Sequence, residues 1–509
     1  MSRLTNTIRN AAVGFGAQLI IILLNFINRT FFIQFLGAEY LGLSGLFSNI
    51  LSMLSLAELG IGVAISFSLY KPLQEQNIRK TKALMSFYRL AYNVIGILIL
   101  GLGLCLIPFL DLLIKDRPDI PHFTLIYLLF LFNSVVSYFF TYKRSLLSAD
   151  QKEYLNTINR TLFSIIQCAG QFIILFFTRN YLLYLLVVIA CTIGSNIRIS
   201  HQCDNLYPYL KGNSERLTKE ETKTLMKYVG AQLSHKVGGI VVNGTDNVLT
   251  TALVNGGLVI VGLYSNYLLL INTVKSIITM FFTSVTASVG NLNAENNADK
   301  SKEVFDKMFF LNMCFYGIST CCIYNLANDF IRLWIGEDYL LSTGAITVIV
   351  INYYISGMRQ TCQTYNTTLG LFWNDRFKPW IEALINLVSS IALARYYGFM
   401  GILLGTLIST VTTSFWVEPY ILYKHGFNMR LGDYFIRYAQ YTAAILFATG
   451  SAFFLTDFIR VTSFVLWVVK ALMIGIISVC VIILCFCRKA EFIGLKLIVS
   501  NQLIKMRRK

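Results

Sequence analysis

Apolar residues run along this chain in long stretches separated by short polar ones. Read by hydropathy, about fourteen of these stretches are long enough to cross ~30 Å of hydrocarbon. The first two are residues 11–36 and 40–70. The last four are 380–396, 400–424, 436–456 and 464–487. In lipid, every backbone polar group must bond within its own segment, so such stretches are helices. The pattern predicts an all-α, polytopic membrane protein.

The polar positions inside these helices are not random. Gly45-Leu46-Phe47-Ser48-Asn49 returns as Gly262-Leu263-Tyr264-Ser265-Asn266. Measured from this phrase, Arg29 corresponds to Asp246 and Glu58 to Lys275. Each of the four interrupts an apolar helix, and each has a mate of opposite sign. The echo continues: Gly16-Ala17-Gln18-Leu19 matches Gly230-Ala231-Gln232-Leu233, Asp111 matches Asp329, and Asn133 matches Asn352. Six helices separate the copies, so they are parallel repeats related by an axis along the membrane normal. The expected architecture is two six-helix repeats around a central cavity, plus two extra C-terminal helices. The boundaries are an N-terminal lobe at 1–203, a linker at 204–226, a C-terminal lobe at 227–424, and 425–509 for the last helices and basic tail. Thr218-x-x-Glu221 in the linker reads as a capping box, and Arg179-Asn180 as a tight turn between two helices.

Composition agrees. Of 509 residues, 55% are hydrophobic and 14% charged, too apolar for a soluble domain. The net charge of +17 could suggest nucleic acid, but the cations gather at one set of helix ends. That is positive-inside topology, with both termini cytoplasmic. The basic charge then meets anionic membrane lipids, not nucleic acid. No cleavable signal peptide is expected, because the first apolar run leads straight into a second span. The eleven cysteines lie mostly inside apolar helices and read as small core residues.

A charge at mid-bilayer costs roughly 2.5–3.5 kcal/mol, so Arg29, Glu58, Asp246, Lys275 and Arg359 must face protein, one another or water. Two arrangements satisfy this. Neighbouring helices can be stapled by the pairs Arg29–Glu58 and Asp246–Lys275, or the charges can line a polar cavity between the lobes. The polar stripes favour the cavity. Gln18, Asn25 and Arg29 share one helix face; His235, Asn243 and Asp246 share another. Asn272 lies beside Lys275, and Asn352, Ser356, Arg359, Gln363 and Asn366 share a third face. Amides can bond sugar hydroxyls, and Arg and Lys complement phosphate. The candidate substrate-binding set is therefore Arg29, Lys275, Arg359, Asn25, Gln18, Asn243, Asn272 and Gln363. Glu58, Asp246 and His235 are candidates for coupling or charge balance, with Na⁺ or H⁺ as the coupling ion. No enzyme motif, Walker loop, metal-ligand spacing or resident cofactor is expected.

Leu36-Gly37-Ala38-Glu39-Tyr40-Leu41-Gly42-Leu43, then Leu56-Ala57-Glu58-Leu59-Gly60, Tyr70-Lys71-Pro72-Leu73 and Phe330-Ile331-Arg332-Leu333-Trp334, resemble bacterial lipid-linked oligosaccharide flippases of O-antigen and capsule assembly. These belong to the multidrug/oligosaccharidyl-lipid/polysaccharide exporter superfamily. The resemblance implies a bacterial cytoplasmic membrane protein working by alternating access. It implies an undecaprenyl-diphosphate-linked oligosaccharide as substrate, with polysaccharide polymerase and chain-length machinery as partners. Two departures stand out: the first helix lacks proline, and the charges in the spans are of mixed sign. The rivals are a cation-coupled multidrug exporter or peptidoglycan-precursor flippase of the same fold, and a membrane polysaccharide polymerase or ligase.

Overall fold

The structure, a computed structural model, describes residues 3–54, 68–69, 72–73, 75–113, 120–210, 217–223, 225–226, 244–294, 298–371, 374 and 376–494. These residues are mostly helical, with short 3₁₀ and π segments, turns between the helices and no strand. The chain forms two compact units, Met1–Gly262 and Leu263–Lys509.

In the first unit, α1 runs Arg3–Leu54 as two helical segments that meet at a kink, the first predicted span and the start of the second. Their joint is Gly37, with φ 83° and ψ −176°, a conformation that a Cβ would strain. α2 spans Ile78–Leu106 and is capped by Asn77, which accepts from the Lys80 N–H at 3.0 Å. α3 (Phe123–Ala149), α4 (Glu153–Thr178) and α5 (Tyr181–Leu206) follow. The tight turn expected at Arg179-Asn180 is present. Arg179 is left-handed, and the Asn180 side chain accepts from the N–H groups of Leu182 and Leu183. The expected capping box is also present: Thr218 N–H donates to Glu221 Oε2 at 3.1 Å, and Glu221 N–H to Thr218 Oγ1 at 3.2 Å. α3 packs on α2 and α5, and α4 packs on α1 and α5. Fully buried Phe47 sits among the rings of Phe123, Tyr127 and Phe130.

Gly262, which opens the second copy of the repeated phrase, makes a close approach to α1. α6 spans Gly257–Ala294, and its first turns cross α1 backbone to backbone. A Cβ on Gly42 would lie 1.9 Å from the Leu258 carbonyl oxygen. One on Gly262 would lie 2.3 Å from that of Ala38. Small residues permit this approach, as is usual where membrane helices associate.

In the second unit, α7 (Ala298–Ile335) packs against α8 (Thr343–Met358), α12 (Gly432–Thr456) and α13 (Phe464–Phe486). α9 (Gln360–Thr368) continues α8 past a break at Arg359. α10 (Lys378–Thr412) is likewise two helical segments, which meet at a kink at Gly398 with φ 55°. α11 (Ser414–Ile421) follows, and its end relaxes into a π-helical turn, Leu422–Phe427. Phe305, Phe309, Tyr423 and Tyr434 form a buried aromatic cluster where α7, α12 and this turn meet. Lys470 of α13 reaches Asp329 of α7 at 2.9 Å, fixing one of the two extra helices to the unit.

Among the described residues, eight helices are long and apolar enough to cross a membrane, or nine if α3, bent by 46°, is counted as one span. The protein is a multi-pass membrane protein. This count does not reach the expected fourteen: it covers the described residues alone, and it takes α1 and α10, each kinked between two expected spans, as one helix each. All eleven cysteines are free thiols. Cys168 and Cys191 are buried as expected, while Cys105 and Cys480 lie on exposed faces.

Candidate functional site

Within the first unit, Arg29 is partly buried on α1 beside Tyr184 of α5. The neighbouring Asn28 donates to the Tyr184 hydroxyl at 3.1 Å. Gln18 is partly covered and Asn25 is exposed on the same helix. Asp246 lies on the helical segment 244–253 and is only 8% exposed. Its own carbonyl accepts from Thr250 at 2.7 Å. Glu58, His235 and Asn243 lie outside the described residues.

Within the second unit, Lys275 and Asn272 are both exposed on α6, one turn apart. Among the described residues, Lys275 enters no ion pair. Asn266, four residues after the repeated Gly262, is fully buried, and neither polar atom of its amide has a partner. Its repeat mate Asn49 instead donates to the Gly45 carbonyl at 2.9 Å.

Arg359 departs from the reading that groups it with the substrate cations. It forks onto Glu418 of α11, with Nε to Oε2 at 2.9 Å and Nη2 to Oε1 at 2.6 Å. Lys378, the first residue of α10, reaches the same Oε1 at 2.5 Å. Glu382 stands 3.8 Å from Arg359 and accepts from Ser414 at 2.6 Å. The rest of the stripe on α8 and α9 is also used between helices. Asn352 donates to the Leu403 carbonyl at 3.0 Å, Gln363 to Glu418 Oε1 at 3.4 Å, and Asn366 to the Glu418 carbonyl at 3.3 Å. These bonds tie α8–α9 to α10 and α11, where the pattern alone points to a cavity. The reason is burial: Glu418 is 2% exposed, and a charge there needs fixed partners.

Glu382, Glu418 and Lys378 were missed by the sequence reading. The signal was available, since both carboxylates interrupt predicted spans just as Glu58 does. A related set in the first unit was missed as well. Lys143 pairs with Asp204 at 2.7 Å, and Arg144 donates to Ser195 Oγ at 2.9 Å and Asn196 Oδ1 at 2.8 Å. Among the described residues, no cluster of His, Cys, Asp or Glu could hold a metal ion.

The fold is that of membrane transporters. The chain superposes on the lipid II flippase MurJ in an inward closed conformation with TM-score 0.65, at 15% identity, over 94% of this chain and 100% of that one. It matches an inward-facing multidrug-resistance MATE transporter of the MOP superfamily at TM-score 0.60 and 13% identity, over 82% and 99% of the two chains. A mutant of the Vibrio cholerae MATE transporter VcmN gives 0.58 at 14% identity, over 84% and 99%. In sequence, the chain is 32% identical over 165 residues to a curated Salmonella typhi protein named, provisionally, as an O-antigen transporter. That match spans 30% of this chain and 37% of the relative. No protein-family model matches the chain.

Proposed function

We propose that this protein is a flippase for a polyprenyl-diphosphate-linked oligosaccharide in surface polysaccharide assembly. It works in the bacterial cytoplasmic membrane by alternating access, with both termini cytoplasmic. The observation that carries the reading is Lys275: a cation on an apolar helix, exposed and without an ion pair among the described residues. Facing hydrocarbon, it would cost roughly 2.5–3.5 kcal/mol, so it needs water or an anionic ligand. Arg29 is the second cation placed on a span. With Arg359 bound to Glu418, Arg29 and Lys275 are assigned to the diphosphate. The exposed amides of Asn25 and Asn272 bond the first sugars. Asp246 is the described carboxylate assigned to coupling, with Na⁺ or H⁺ as the ion. The likeness to a lipid II flippase over nearly the whole chain supports this, as does the partial match to an O-antigen transporter. The MATE likeness supports a multidrug exporter equally at the level of fold.

The test uses cells lacking the gene and a membrane-impermeant reagent that modifies the glycan of the lipid-linked unit. The unit should be protected in intact cells and modified once the membrane is opened. Restoring the gene with Arg29→Ala or Lys275→Ala should lower translocation by about tenfold or more at normal expression, the weight of a lost charge-assisted bond. Single units accumulating on the outer side would instead mean that flipping is intact and polymerisation is missing. Drug resistance conferred by the intact gene, with polysaccharide unaffected, would favour the exporter.

A further inference from the structure

Two spans of the second unit are broken side by side. α8 gives way to α9 at Arg359, and α10 gives way to α11 at Thr413, where φ is −121° and ψ −86°. Both breaks touch one carboxylate. Glu382 stands 3.8 Å from Arg359 and accepts from Ser414, the first residue of α11, at 2.6 Å. The breaks therefore lie at one level. Beyond them run two short arms of similar length. α9 has nine residues and α11 eight, about 12–14 Å each at 1.5 Å per residue.

Side chains hold each break open. Asn312 of α7 is fully buried and donates to the Gly357 carbonyl at 3.0 Å and the Met358 carbonyl at 3.2 Å. In a regular helix, N–H groups of the next turn would take those carbonyls. A side chain inserted into that ladder keeps a helix bent. At the second break, Thr413 turns its hydroxyl back onto the Ser409 carbonyl at 2.5 Å.

The two sides of the first break have different partners. α8 is fixed to its neighbours. Tyr353 pairs with Ser319 of α7 at 2.7 Å, Tyr354 with Thr442 of α12 at 3.1 Å, and Asn352 donates to the Leu403 carbonyl of α10 at 3.0 Å. α9 instead holds α11, through Gln363 and Asn366 on Glu418. The charges of this network sit by the breaks and not at the far ends of the arms. Towards the far end of α9, Tyr365 donates to the Ser301 carbonyl of α7 at 3.2 Å, with its ring against Phe305 and Phe427. α11 ends in the π-helical turn Leu422–Phe427, a winding often found at functional positions.

We propose that Arg359 and Thr413 form a paired hinge, about which α9 and α11 swing together to open that end of the second unit. The ionic network is the pivot, and the bond from Tyr365 to Ser301 is the latch that holds the arms against α7. A transporter must open one end of its helix bundle, and hinges are a few positions at element ends that absorb the change.

Hydrogen–deuterium exchange of the full chain in lipid nanodiscs, read by mass spectrometry of its peptides, tests this. In the wild type, α9 and α11 should exchange together and faster than α8. Y365F keeps the ring and removes the latch hydroxyl. It should speed exchange in both arms by about fivefold, the weight of one neutral hydrogen bond, and leave α8 unchanged. S319A removes a hydroxyl bond on the fixed side of the break and should leave both arms unchanged. Acceleration of one arm without the other in Y365F would overturn the proposal, since the arms would not move as one. So would equal exchange of α8 and α9 in the wild type, acceleration of α8 along with the arms in Y365F, or arms that S319A speeds as much as Y365F does. Arms that stay fully protected in Y365F would mean that they are locked, and would overturn it too.

Discussion

Two sets of three helices solve the same problem differently. In the first unit, α3, α4 and α5 are joined by mostly neutral bonds: Arg144 to Ser195 and Asn196, and Asn159 to the Ser195 carbonyl and hydroxyl. A close ion pair between α3 and α5, Lys143–Asp204, is partly exposed. In the second unit, α8–α9, α10 and α11 are joined by an ionic network whose central carboxylate, on Glu418, is 2% exposed. The difference teaches where charge is tolerated. A buried ion pair gains little over an apolar contact, but removing one partner strands the others. The second unit is therefore committed to its charges as a set, while the first can change one member at a time.

The sharpest break is Glu418→Gln. It leaves Arg359 and Lys378 with Glu382, 3.8 Å from Arg359, as the nearby carboxylate, one negative charge short in the interior, at a cost of roughly 3–5 kcal/mol. Thermal unfolding in detergent should show a large drop in melting temperature and a smaller monodisperse fraction. Adding Arg359→Gln and Lys378→Gln to that variant should recover most of the loss, because the stranded charges go with the carboxylate. If Glu418→Gln melts like the wild type, the network is solvated and the contrast between the units fails.

A milder outcome is expected for Asn159→Ala in the first unit. Asn159 is 2% exposed and donates at 3.0 Å and 2.9 Å to the two oxygens of Ser195. Its loss removes both of these bonds and leaves Ser195 Oγ to Arg144 alone, a cost of roughly 1–3 kcal/mol. The melting temperature should fall, but by less than for Glu418→Gln. A larger fall would mean that neutral bonding is as indispensable here as charge is in the second unit.

How far each set could be read in advance follows from the range of its interactions. Local devices were legible. The Thr218–Glu221 box and the turn at Arg179 depend on residues within a few positions of one another. The partner of Arg359 was not legible. Glu418 lies 59 residues away, and a polar stripe on α8–α9 looks the same whether it faces water or another helix. The breaks at Gly37 and Gly398 were legible too, because hydropathy divides the spans between 36 and 40 and between 396 and 400. Of the candidate site, the cations Arg29 and Lys275 were placed on their helices by pattern. The burial of Asp246 came only with packing.

The smallest expected effect tests the solvent-exposed limit of the comparison. Glu221 accepts from the Thr218 backbone at 3.1 Å and faces Lys80 at 3.2 Å, with all three at the surface of the first unit. The Thr218 N–H and then the Lys80 ammonium hold its carboxyl below the usual carboxylate range. A depressed folded value means that the stabilisation is complete above the unfolded value, about 4.3, and is lost as pH falls through the folded one. Because the pair is exposed, the gain should stay below about 1 kcal/mol. Melting of wild type and Glu221→Gln should therefore differ slightly at neutral pH and converge in acid. Added salt should narrow the neutral-pH gap further, since exposed charges are screened. The Glu418→Gln gap should resist the same salt, because its charges are out of reach of counter-ions. Equal salt sensitivity in the two gaps would mean that burial does not separate the two units' electrostatics.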